Sequence, residues 1–351
     1  MWAFVADSIL GVWFTVAVIV TSVRLLGVPK RRRLAAVFLT WFLICLPLAI
    51  ERDRSLWSVP YEPPSASQLE QQYAVSTEEV FYLQPRLLER ELAGLKRGRR
   101  GLIDLYFIGV AGYSKQDVFM KEVQSVASLF DSRFDTRDHS LMLINNPATL
   151  RTLPLATATS IEMALKRVAE VMDADEDILF LFITSHGSRD HQAVFDFWPM
   201  KLDPLDPARL KQMLDRAGIR RRVVVVSACY SGAFVDALRD ERTLAIAASA
   251  ADKNSFGCSN DADFTYFGKA YFDEALRLTY SFSEAFEIAK PVIAERERQA
   301  NFSGSDPKMF MGREIEAALE RFVKAREAAA KKHAPENAAA VPEGTTASRQ
   351  P

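Results

Sequence analysis

Two side chains in this sequence, His186 and Cys229, are of the types that together carry out acyl transfer. A thiol attacks a carbonyl as its thiolate, and a neighbouring imidazole can take the proton and later return it to a leaving amine. The developing oxyanion needs donors as well, and backbone N–H groups at a tight turn supply them. The N–H of Gly187, which carries no Cβ to obstruct an approaching carbonyl, and the N–H of Cys229 itself are the natural pair. Taken singly, a cysteine at a strand end is a small buried hydrophobe as readily as a nucleophile, and a single histidine is often structural. Spacing alone leaves both readings open, although the pair is more specific than either member.

Each of the two ends an apolar, β-prone run: 177–184 (DILFLFIT) leads through Ser185 to His186, and 222–227 (RVVVVS) leads through Ala228 to Cys229. Runs of this kind read as parallel strands buried on both faces, whose C-terminal ends open into a site. Side by side in one sheet they would bring the imidazole and the thiol to the edge where open α/β folds bind ligands. The surrounding chain alternates in the same way. Strands are expected at 102–110, 140–144, 243–249 and 308–311, and helices at 116–130, 159–172, 206–217, 232–239, 266–278 and 283–299. Residues 194–198 (VFDFW) alternate like a small hairpin. The pattern predicts an α/β fold with a mostly parallel sheet flanked by helices on both faces.

The 351 residues carry a formal net charge of −1, so no basic field argues for a nucleic-acid partner. Three cysteines, Cys45, Cys229 and Cys258, are too few and too scattered for a disulfide scaffold or a paired-cysteine zinc site. No two of the four histidines show the helical spacing of a metal pair, and no cofactor is expected.

Residues 8–26 and 34–50 are apolar over about the length needed to cross a bilayer. The turn between them (VPKRRR) holds four cations, which assigns it to the cytoplasm and both chain ends to the other side. The expected organisation is a transmembrane hairpin at 1–50, a linker and helical extension at 51–100, a catalytic body at 101–327 and a disordered tail at 328–351. The body would then lie on the periplasmic or extracytoplasmic side of the inner membrane. The basic run 96–100 reads as a solvated turn or a contact with anionic lipid. Cys45 reads as an apolar filler.

The segments Thr184-Ser-His-Gly187 and Val225-Val-Ser-Ala-Cys-Tyr-Ser-Gly232 resemble the signature of the legumain family of cysteine peptidases, and the likeness continues through 195–202, 250–258 and 266–269. It covers roughly 102–312. It implies a caspase-like fold, His186 as general base and acid, Cys229 as nucleophile, Gly187 as an oxyanion donor, Ser255 as a pocket serine, Cys258 as a structural residue of the pocket loop and a protein or peptide substrate. A Cys229–Cys258 disulfide is the competing reading for Cys258. The chain departs from the asparagine-reading members of the family. It has Ser227 where they have an acidic residue two before the nucleophile, Lys269 where they have an aspartate, and no evident counterpart of the supporting asparagine in the loop after the first strand. Lys269 then either favours an acidic or neutral P1 residue or is an ordinary solvated lysine. The leading function is membrane-anchored endopeptidase; transpeptidation through the same thioester and an inactive scaffold are the alternatives.

Overall fold

The computed structural model describes Pro29, Arg32 and residues 76–333. The two apolar segments 8–26 and 34–50 lie outside the described residues. Among those described, no helix is long and apolar enough to cross a membrane.

Six strands form one sheet in the order β2-β1-β3-β4-β5-β6. They are β1 (Leu105–Ala111), β2 (Ser140–Ile144), β3 (Ile178–Thr184), β4 (Arg222–Ser227), β5 (Thr243–Ala247) and β6 (Lys308–Met311). The first five are mutually parallel and β6 joins β5 antiparallel. β1, β3, β4 and β5 are buried at every position, as their unbroken apolar composition requires when helices cover both faces. β6 is only half-buried, which suits an edge.

The alternation of side chains along the strands divides the core. Phe107, Phe180, Phe182, Val223 and Val225 face one side, where α2 (Asp117–Arg133), α6 (266–278), α7 (Phe282–Gln299) and α8 (Arg313–His333) pack. Tyr106, Leu179, Leu181, Val224 and Val226 face the other, against α1 (Thr77–Gly94), α3 (Ala158–Val171), α4 (Pro207–Ala217) and α5 (Gly232–Ala237). Local signals explain the helix starts. Thr157 and Ser160 form a reciprocal capping box before α3, and Asp206 caps α4 with Pro207 in its first turn. Gly218 ends α4 with φ 73°.

Several expectations change in detail. Residues 194–198 form isolated bridges rather than a hairpin, pairing Tyr113 with Asp196 and Phe197 with Met200. The expected helix at 266–278 forms, but it widens into a π turn at Lys269–Ala275. α8, which the alternation pattern missed, runs to His333, past residue 328 where a tail was expected to begin. Its Ile315, Ala318 and Phe322 are buried against the sheet. The basic run 96–100 is more than a solvated turn, because Arg99 pairs with the fully buried Asp104 and also with Asp135.

Candidate active site

The positions of His186 and Cys229 follow from strand register. In the β3–β4 pairing Thr184 stands opposite Ser227, and one further rung, from Ser185 N–H to Ser227 C=O at 3.1 Å, closes the ladder. His186 and Cys229 each come two residues beyond that pair, so they leave adjacent strands at the same level. Neighbouring strands lie about 4.8 Å apart. By the same alternation, Thr184 and Ser227 face the side covered by α2 and α6, and the residues two further on emerge on that side too.

His186 is clasped by aromatic rings. Tyr113, in the loop after β1, meets it edge-on at 4.6 Å between centroids, and Phe119 of α2 does so at 5.2 Å. This burial pushes the imidazole below its ordinary value, favouring the neutral form. Its Nε2 lies 2.6 Å from Gln116 Oε1, and Gln116 Nε2 donates to the Cys258 carbonyl at 2.9 Å.

Cys229 begins the turn between β4 and α5. The next residue, Tyr230, sits in the left-handed region at φ 59°, a sharp bend that turns the chain away from the sheet. Tyr230 N–H donates to Lys253 C=O at 2.8 Å, and Ser249 Oγ donates to Ala228 C=O at 3.1 Å while receiving Ser231 N–H at 3.2 Å. The Sγ of Cys229 receives Ser255 N–H at 3.3 Å and lies 3.7 Å from Ser255 Oγ. Among the described residues no hydrogen bond joins the thiol to the imidazole; the thiol meets Ser255 and the imidazole meets Gln116.

The N–H groups of Gly187 and Cys229 have no hydrogen-bond partner among the described residues. Gly187 is required for a reason other than room for a substrate carbonyl: a Cβ there would lie 1.9 Å from the Cys229 carbonyl oxygen. The turn after the histidine and the turn at the cysteine are therefore in backbone contact.

The remaining residues singled out by sequence fall in different surroundings. Ser255 touches the thiol. Ser227 is buried, its hydroxyl 3.3 Å from Thr265 Oγ1. Thr265 in turn donates from N–H and Oγ1 to Glu122 Oε1, at 3.0 and 2.7 Å. Burial pushes the Glu122 carboxyl upward, toward the protonated form. Gly268 permits this approach, since a Cβ on it would lie 1.7 Å from Glu122 Oε1. Lys269 is half-exposed, paired with Asp273 and 5.6 Å from the Phe264 ring centre. With Arg296, Asp263, Phe264 and Tyr266 it borders a cavity of about 350 Å³. Cys258 is free, and burial pushes its thiol up to about 12. Asp190 is exposed, and His191 is half-buried at φ 60°.

Sequence reasoning missed Gln116 and Glu122. Gln116 immediately precedes the first turn of α2, at the end of the loop that shows no counterpart of the supporting asparagine, a residue one methylene shorter. Glu122 reads as an exposed position of an amphipathic helix, and only the fold turns it inward.

No curated protein matches the chain. Among solved structures it is similar to Caspase-1 from Spodoptera frugiperda, with 10% identity and a TM-score of 0.42 over 62% of this chain and 88% of that one. Residues 158–315, which include both His186 and Cys229, match the model of the Peptidase C13 family. The chain is a cysteine endopeptidase, similar over those residues to the legumain-type family that this model describes.

Proposed function

We propose that Cys229 is the nucleophile of this peptidase and His186 its general base and acid, with the Gly187 and Cys229 N–H groups receiving the oxyanion of the tetrahedral intermediate. The observation that carries the reading is the level emergence of the two side chains on one face of adjacent strands, next to two unpaired N–H donors. Attack of the thiolate on the scissile carbonyl forms the C–S bond, the imidazolium protonates the departing amine, and water activated by the neutral imidazole releases the acid. The lowered pKa of His186 suits the base in the second half of this cycle.

The pocket loop at 250–258 reaches the thiol through Ser255, which supports a substrate-binding part for that residue. Ser227 acts at one remove, bracing Thr265 beneath the pocket. Lys269 borders a cavity with Arg296 and favours an acidic or neutral side chain over a basic one. Architecture of the caspase-like kind belongs to the same reading. So does an anchor: the lengths of 8–26 and 34–50 and the cationic turn between them support a hairpin that holds the body outside the cytoplasm.

The deciding experiment treats the full chain with a thiol-directed active-site probe and a peptide library. Labelling and cleavage are expected in the wild type and absent from Cys229→Ala, with His186→Ala reduced at least a hundredfold, in the usual range for general acid–base catalysis. Labelling that survives Cys229→Ala, or full activity in His186→Ala, would end the assignment. A clear library preference for Lys or Arg at P1 would remove the part given to Lys269.

A further inference from the structure

Two hydrogen bonds connect the imidazole, through Gln116, to the loop that holds the thiol, and donor chemistry fixes the direction of each. The Cys258 carbonyl can only accept, so the Gln116 atom facing it at 2.9 Å is the amide nitrogen. The Gln116 oxygen therefore points at His186 Nε2, 2.6 Å away, and it too can only accept. Nε2 must then carry the proton. In the neutral ring this leaves Nδ1 with its lone pair free, without a hydrogen-bond partner among the described residues. Nδ1 is thus the nitrogen available to take a proton from the thiol.

The far end of this relay is the same stretch of chain that fixes the nucleophile. Ser255 N–H meets Cys229 Sγ at 3.3 Å, and Cys258, three residues later, receives Gln116. Phe256 between them stacks on Phe302 at 4.3 Å with the rings 2° from parallel, and its carbonyl receives Tyr266 N–H at 3.0 Å, so the stretch is tied down on two sides. Residues 255–258 thus hold the thiol directly and the imidazole through one side chain.

We infer that Gln116 is a positioning residue that fixes the His186 tautomer, and that residues 255–258 align both members of the pair through it. The inference rests on the peptidase assignment made above. Substrate that shifts this loop would be felt at the base and at the nucleophile together, because the loop is hydrogen-bonded to the thiol directly and to the imidazole through Gln116.

The test begins on the full wild-type chain with ¹⁵N-labelled histidine, His186→Ala serving to assign the resonance. A protonated Nε2 and a bare Nδ1 are expected at alkaline pH; a protonated Nδ1 overturns the inference without any variant at Gln116. Two variants are then compared at equal folded fraction, checked by thermal melting. Gln116→Leu removes the acceptor, and kcat should fall at least about tenfold with KM changed no more than about twofold, as expected when only the geometry of the base is lost. Gln116→Glu keeps an acceptor and adds a charge that favours imidazolium, so it should retain more activity than the leucine variant and move the histidine limb of the pH profile upward. Wild-type kcat in Gln116→Leu, or equal losses in both variants with unshifted profiles, overturns the inference. Activity persisting in Cys229→Ala would instead indict the peptidase assignment, so the two failures are told apart.

Discussion

At the scale of single residues, the site depends on small groups placed where larger ones would collide. Gly187 is the clearest case. Its missing Cβ is filled by the Cys229 carbonyl, so Gly187→Ala must push apart two turns of backbone. We expect a loss of about 1–3 kcal/mol in stability, the usual cost of overpacking, and a far larger loss of turnover. Urea melts and peptide cleavage on one preparation would separate the two; an alanine variant with unimpaired turnover would show that the contact is not needed. The rings around His186 make a second prediction. Because burial between Tyr113 and Phe119 holds the imidazole below its ordinary value, Tyr113→Ala should let water in and raise its pKa toward about 6.5. An NMR titration reads this directly, and a further fall would contradict the cause assigned here. His186, Cys229 and Gly187 were legible in the sequence because each ends an apolar run in a short motif. Gln116 was not, because a glutamine next to a helix start carries no signal until the fold shows what its amide meets.

The elements matter as a set of levels. Strands were readable from composition alone: the expected bounds of β2 and β6 coincide with those observed, and β4 begins at Arg222 as expected. What composition cannot give is pairing order and direction, and hence that β6 closes the sheet antiparallel. Nor could it give the widened turn in α6, where Gly268 makes room for Glu122. That carboxyl joins α2 to α6, receiving Thr265 at the start of α6 and facing the Thr184 hydroxyl at the end of β3. The sign of its pH dependence follows from its raised pKa. Whatever stability the protonated group contributes is complete below the ordinary carboxylate value and is lost as pH rises through the raised one. Glu122→Gln keeps the acceptor for Thr265 and cannot ionise. Its melting temperature should therefore gain on the wild type as pH rises, and a gap independent of pH would argue against a protonated Glu122. Glu122→Ala leaves Thr265 N–H buried and unpaired, at a cost of about 1–3 kcal/mol.

For the molecule as a whole, α8 was invisible to a reading based on strand–helix alternation, because it follows the last strand and its Glu- and Ala-rich surface resembles a solvated tail. Its inner face says otherwise, with Ile315, Ala318, Leu319 and Phe322 buried against the sheet. At roughly 1.5–3 kcal/mol for each large side chain buried, a chain ending at Met311 forfeits an amount comparable with a typical domain's whole margin. It should fail to fold, whereas one ending at His333 should melt as the full chain does. Circular dichroism of the two truncations decides it. The proposed anchor makes its own prediction: the full chain should remain in the pellet after alkaline extraction of membranes, and its body should be open to protease added from outside. Release into the alkaline supernatant would remove the anchor from the proposal. One consequence of the two-faced core concerns handling rather than chemistry. Every side chain assigned a part in the reaction lies on or beyond the face covered by α2 and α6, while α3 and α4 back the opposite face. That reverse side is where a fluorophore, a surface linkage or a fused reporter can be attached, for example at the exposed Met163 of α3, leaving substrate an unobstructed approach.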